Sequence, residues 1–136
     1  MHLPAVTGRN AATARRVVGG TYLCCAGLNA GLVLADPEVY RDFAASSYLP
    51  FVRTGWQEVV MADPTVWILL LAAGEVVIGT LLLSSSPSAV RVGWAAVIAF
   101  QVLLMLFGFG FWVWSVPVLL VLVPLARRDV AGLSRG

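Results

Sequence analysis

Lysine is absent from this sequence, histidine occurs once, and cysteine occurs twice at adjacent positions. Each scarcity removes a chemistry. With His2 as the single imidazole, zinc sites, paired-histidine haem ligation and a histidine-based triad have nothing to build on. Cys24 and Cys25 are neighbours inside an apolar run, so they close no disulfide loop, and no Cys-x-x-Cys spacing exists. They read as small packing residues whose thiols are poor nucleophiles among apolar side chains. All nine basic residues are arginine, which reads as the coding bias of a GC-rich genome. The formal charge is only +2 and no basic stripe alternates with aromatics, which sets nucleic acid aside as a partner.

Charge itself is the largest deficit. Only 12% of the 136 residues are charged and 60% are hydrophobic, against roughly 25% charged in an ordinary soluble domain. The mean hydropathy is +0.88. So few charges cannot cover so much apolar surface in water, and lipid must cover it instead.

Four runs are apolar enough to cross a bilayer core of ~30 Å. The first, 17–35, follows Arg15-Arg16 and is about 28 Å long as a helix. The arginines, the apolar run and Val33-Leu34-Ala35 also mimic a cleaved signal peptide. The run is longer than the usual ~7 to 15 residue signal core, which favours a retained helix. The second run, 65–83, lies between the start signal Asp63-Pro64 and the stop signal Ser84-Ser85-Ser86-Pro87. From Val90 to Leu125 the chain is too long for one span, and it divides into 90–107 and 111–125 at Gly108-Phe109-Gly110. Those glycines read as a turn, since a phosphate loop would need a lysine, a preceding strand and a helix start. Pro117 is expected in the first turns of the last span, where a missing N–H is tolerated.

The expected fold is therefore all-α, an integral membrane four-helix bundle with tails at 1–16 and 126–136. Arg9, Arg15, Arg16, Arg91, Arg127, Arg128 and Arg135 fall on one side of this layout. The loop 36–64 holds Asp36, Glu38, Asp42, Glu58 and Asp63 against Arg41 and Arg53. The excess of arginine places both termini in the cytoplasm of a bacterial plasma membrane and the loop 36–64 outside. Trp67, Trp112 and Trp114 are expected at the outer boundary and Trp94 at the inner one. The loop carries Val39, Tyr40 and Phe43, then, beyond Pro50, Val52, Trp56, Val59 and Val60, a spacing that predicts short amphipathic helices on the outer surface.

Glu75 stands about nine residues from either end of the second span, where an ionised carboxylate costs several kcal/mol. Ala72 and Gly79 share its helical face and allow a neighbouring helix to approach, so Glu75 is expected to point into the bundle. Gln101 comes at nearly the same depth on the third helix, within reach of Glu75, while Asn29 comes nearer the outer leaflet on a face shared with Tyr22 and Cys25. Glu75, Gln101, Asn29 and Tyr22, with Ser115, read either as a pocket for a headgroup, quinone or proton, or as interhelical glue worth ~0.6 to 2 kcal/mol per hydrogen bond. Arg41, Arg53 and Glu58 read as a solvated face or an anion site.

Several segments resemble the DoxX-like family of small four-helix bacterial membrane proteins. They are Gly27-Leu28-Asn29, the loop Tyr40-Arg41-Asp42-Phe43-Ala44 leading to Leu49-Pro50, the helix Ala73-Gly74-Glu75-Val76-Val77-Ile78-Gly79-Thr80-Leu81-Leu82-Leu83, and Leu106-Phe107-Gly108-Phe109-Gly110. The resemblance covers nearly all of the chain after Arg15, and Glu-x-x-x-Gly-x-Leu-Leu-Leu is its most specific part. It implies a four-helix fold, association with quinone-linked or thiol redox systems as a membrane subunit, and Glu75 as the family's second-helix acidic residue. The adjacent cysteines are not a mark of that family.

The function expected from this reading is an accessory subunit or scaffold of a larger, redox-linked membrane complex, with lipid and another membrane protein or a second copy as partners. It is not expected to act as an enzyme alone. The alternative is a quinone- or lipid-binding oxidoreductase component that uses Glu75. One intramembrane carboxylate and no internal repeat argue against a transporter.

Overall fold

The structure, a computed structural model, describes residues 4–135, with side chains from residue 9 onward. His2 lies outside the described residues. Helices account for the architecture and no strand occurs among the described residues. Four helices are long and apolar enough to cross a membrane. They are α1 (Pro4–Ala35), α3 (Pro64–Leu83), α4 (Pro87–Leu104) and α5 (Phe109–Leu133). A short α2 (Pro50–Gly55) lies in the long connection.

The punctuation behaves as its chemistry requires. Asp63 accepts from the N–H of Val66 and Pro64 opens α3, while Ser86 accepts from Ala89 and Pro87 opens α4. In both, a side-chain oxygen satisfies an orphan donor and proline sits where its missing N–H costs nothing. A single turn of 3-10 helix, Met105–Phe107, ends α4. Gly108 then takes φ +123°, and a Cβ there would lie 2.3 Å from the Ser46 carbonyl oxygen. Only glycine fits that turn. Gly110, expected in the same turn, is already helical.

Two helices exceed the expected spans. α1 begins at Pro4 rather than Val17, and α5 runs from Phe109 to Leu133 rather than from 111 to 125. Hydropathy marks where lipid begins and is silent on where helical hydrogen bonding stops. The polar extensions are helical because they pack on each other: Ala11, Ala126 and Asp129 are buried, and Arg15 meets Asp129. The longer α5 also corrects the placement of Pro117, which lies in the helix interior together with Pro124.

Neighbouring helices run antiparallel in the cyclic order α1, α3, α4, α5, and α1 packs most extensively on α3. That contact is close because it is built on glycine. A Cβ on Gly79 would come within 2.7 Å of Leu23 Cγ and 2.8 Å of the Gly19 carbonyl oxygen. Small residues let the two backbones approach, as in many membrane helix pairs. The beginnings of α1 and α4 and the end of α5 share one end of the bundle, joined by the Arg15–Asp129 pair and by a 2.8 Å hydrogen bond from Arg91 to Ser134 Oγ. The connection 36–63 closes the other end.

Two apolar cores follow. Near the arginine end, Tyr22, Ile78, Leu82, Val90, Trp94, Val97, Leu122 and Ala126 form one cluster. Near the loop end, Val33, Tyr40, Ala44, Trp56 and Ile68 form another. Trp94 is thus a core residue, only 2% exposed, and not the boundary anchor its position suggested. Trp67, Trp112 and Trp114 are exposed toward the loop end. The short helices expected in the loop are a 3-10 turn at Pro37–Tyr40, α2, and a π turn at Trp56–Val60. Tyr40 and Trp56 turn inward, whereas Val39 and Val59 stay exposed.

Candidate functional site

Apart from Ser47 in the connection 36–63, the buried polar side chains separate into three groups, each fixed by helix packing. In the first, Glu75 of α3 is 4% exposed and accepts a 2.9 Å hydrogen bond at Oε2 from Asn29 Nδ2 of α1. Asn29 Oδ1 in turn accepts a 2.7 Å hydrogen bond from the Tyr40 hydroxyl. Asn29 was expected nearer the outer leaflet than Glu75. Side chains on a helix lean toward its N-terminus, so on antiparallel α1 and α3 these two lean toward each other and meet. Ala72 and Gly79 are buried on the same face as Glu75.

The second group joins α1, α4 and α5. Gln101 Nε2 donates to the Tyr22 hydroxyl at 3.4 Å, and Ser115 Oγ donates to Gln101 Oε1 at 3.3 Å. Glu75 therefore takes Asn29 as its partner, and no hydrogen bond links it to Gln101 among the described residues. Equal depth was the wrong criterion for that pairing, because depth leaves open which way each helix face turns. The four residues anticipated together belong to two networks, Glu75 with Asn29 and Gln101 with Tyr22.

The third group was not anticipated. Asp129 is 6% exposed and accepts a 2.9 Å hydrogen bond from Trp94 Nε1. Arg15 Nε lies 3.3 Å from the same Oδ2 as an ion pair without hydrogen-bond geometry. Asp129 reads as tail because it follows Arg127-Arg128, yet Ser115, Leu122, Ala126 and Asp129 recur at steps of seven, four and three, one face of a continuous helix.

Of the three, the Glu75 group borders open space. A cavity of about 230 Å³ is lined by Asn29, Tyr40, Glu75, Phe43, Trp56 and Phe111, with Cys25 and Phe100 beside them. It adjoins an apolar cavity of about 270 Å³ that reaches the exposed flanks of Trp67 on α3 and Leu103 on α4. Phe43, Trp56, Ile68, Leu71, Phe100 and Leu104 line both, so the two adjoin as lobes on either side of these side chains. Tyr22, Gln101, Ser115 and Asp129 line neither lobe.

The connection 36–63 roofs this space and is pinned from several sides. Trp56 Nε1 donates to the Tyr40 carbonyl at 2.8 Å, Ser46 Oγ donates to the Phe107 carbonyl at 3.0 Å, and Ser47 Oγ donates to the Leu106 carbonyl. Arg53, weighed as an anion ligand, donates to the Ser47 carbonyl. Arg41 pairs with Glu38, whose carboxyl this hydrogen bond holds below the usual range. Phe43 is the hub of the roof, 5.0 Å from Trp56, 5.0 Å from Phe107 and 4.9 Å from Phe111 between ring centroids. Burial, and then the neighbouring Glu75, push the Tyr40 phenol up, so its hydroxyl keeps its proton and donates.

Direction matters here. Tyr40 donates to Asn29 Oδ1 and one N–H of Asn29 Nδ2 donates to Glu75 Oε2, so this chain of hydrogen bonds runs toward the carboxyl group. Glu75 Oε1 makes no hydrogen bond among the described residues, and Glu75 lines the cavity. Among the described residues no group of three His, Cys, Asp or Glu side chains is placed to hold a metal. No protein-family model, no curated protein and no solved structure matches this chain.

Proposed function

We propose that this multi-pass membrane protein takes up an amphiphilic molecule from the bilayer, seating its polar head at Glu75 and its apolar body beneath the loop roof. The observation that carries this reading is the pair of adjoining cavities. Glu75, with one carboxyl oxygen free, lines one, and the other is apolar and reaches the exposed flanks of Trp67 and Leu103. Small-molecule sites combine an apolar lining with a few convergent polar groups, and an intramembrane carboxylate marks function by default. The arginine-rich end would face the cytoplasm of a bacterial plasma membrane, with both termini there and the roof outside.

Quinone, the cofactor suggested by the DoxX-like segments, fits this site poorly. Its ring oxygens only accept hydrogen bonds, and with the Tyr40 hydroxyl spent on Asn29 and one Asn29 N–H spent on Glu75, a single Asn29 N–H is left to offer them.

The second reading is an accessory subunit or scaffold of a redox-linked membrane complex. It is favoured by the way Glu75, Asn29 and Tyr40 satisfy one another and tie α1, α3 and the roof together, as interhelical glue does. Gentle purification from native membranes followed by mass spectrometry separates the two. A stoichiometric lipophilic molecule, lost in Glu75→Gln with the fold intact, supports uptake. A stoichiometric protein partner with no retained small molecule would replace it with the subunit reading.

A further inference from the structure

Resting on the uptake reading, we infer that the head seated at Glu75 is a protonated amine: the cavity is a site for a cationic amphiphile. Three observations converge on positive charge. First, the hydrogen-bond chain ends in an acceptor. The Tyr40 hydroxyl is spent on Asn29 and one Asn29 N–H on Glu75 Oε2, while Oε1 makes no hydrogen bond among the described residues and Glu75 lines the cavity. Ionised, Oε1 offers nothing to a head that only accepts, such as a ketone, an ester or a second carboxylate, whereas an ammonium N–H meets its complement and brings the matching charge.

Second, the walls are aromatic. Tyr40, Phe43, Trp56, Phe100 and Phe111 line the same lobe as Glu75. Ring faces carry negative potential, and cages of such rings are the usual receptacle for organic cations. An aromatic wall beside a buried carboxylate lowers the cost of a cation while offering nothing to an anion. Third, the roof end carries Asp36, Glu38, Asp42, Glu58 and Asp63 against Arg41 and Arg53, an excess of acid that raises the local concentration of cations. The pairing also answers the cost of Glu75: a charge in a membrane interior is tolerated when it is matched. The apolar lobe reaching Trp67 and Leu103 accommodates the hydrocarbon body.

The test uses three probes with one tail and different heads: N,N-dimethyldodecylamine, dodecanol and dodecanoate. Each is titrated at neutral pH into the full-length protein in nanodiscs, with the thermal midpoint as readout. The amine should bind about tenfold or more tightly than dodecanol, and dodecanoate weakest. In Glu75→Gln, which keeps an acceptor for Asn29, the amine should lose that advantage while dodecanol is little changed. Should that variant not fold, Phe43→Leu keeps an apolar wall and removes a ring, and it should weaken the amine selectively. An amine no tighter than dodecanol in the wild type, or an advantage that survives both variants, overturns the inference. Binding of none of the three would remove the uptake reading itself, while equal binding of amine and alcohol would remove this inference alone.

Discussion

The bundle buries two carboxylates, one at its arginine end and one near mid-depth, and the two are held differently. At the arginine end, Asp129 has a cation and an indole on one oxygen, lies beside the close-packed core around Trp94 and Leu82, and borders neither lobe of the cavity. At mid-depth on α3, Glu75 has neutral partners, keeps one oxygen free of hydrogen bonds and borders the cavity beneath the roof. A buried charge alone is therefore a weak sign of a binding site. What separates a lock from a site is whether the charge is matched inside the protein and whether anything could reach it.

If that contrast holds, the largest stability effect lies at Asp129. Asp129→Ala leaves Arg15 nearly buried, its side chain 12% exposed, without a counter-charge, and should cost about 3 kcal/mol. The double variant Arg15→Leu with Asp129→Leu removes both charges and should recover most of that loss. Unfolding in mixed micelles reads both. Amphiphile binding should survive in whatever fraction remains folded. Equal damage from the single and double variants would show that the pair is not what the site contributes.

Gly79→Val comes next. Its Cβ would press on Leu23 and the Gly19 carbonyl, an overpacking cost of about 1 to 3 kcal/mol. Because α1 carries Asn29, separating α1 from α3 should also weaken binding at Glu75. Gly74→Ala, where a Cβ meets nothing within 4 Å, is the control and should be silent in both assays. A stability loss with binding intact would show that the site does not depend on the register of α1.

Glu75→Gln sharpens the comparison in the opposite sense. The amide can still accept from Asn29, so stability should change by less than about 1 kcal/mol. Binding of a cationic amphiphile should fall instead. A stability loss matching that of Asp129→Ala, with binding unchanged, would make Glu75 a second lock.

Much of the fold could be read from the sequence because lipid imposes length and apolarity on any helix that crosses it. Asp63-Pro64, Ser86-Pro87 and Gly108 carry their local geometry in their own chemistry. The ends of α1 and α5 were hidden, since Arg15 and Asp129 are polar by composition and buried only through each other. The site was half visible. The cost of a charge in lipid pointed to Glu75, and Gly79 to the close approach of a neighbouring helix, but pairing Glu75 with Gln101 relied on depth, which carries no azimuth. Tyr40, Phe43 and Trp56 belong to a loop whose alternation pointed outward to a membrane surface. Only the pinning of that loop by Ser46, Ser47 and Trp56 turns them in.

The smallest effect should come from the one ion pair on the roof's surface, Glu38 with Arg41, whose side chains are 60% and 51% exposed. The hydrogen bond from Arg41 lowers the Glu38 pKa in the folded protein. Its contribution is therefore present above the unfolded-state pKa of glutamate and lost as pH falls through the lower folded value. Water and salt screen a pair this exposed, so the contribution is slight at any pH. Arg41→Ala keeps the backbone carbonyl that accepts from Gln57 Nε2 at 2.7 Å, and so preserves the roof's connection there. The thermal midpoint should not move measurably at neutral pH, and the gap between variant and wild type should not widen as pH is lowered. A drop comparable to Asp129→Ala would mean that roof charges hold the cavity shut, and burial would no longer be what distinguishes the two ends.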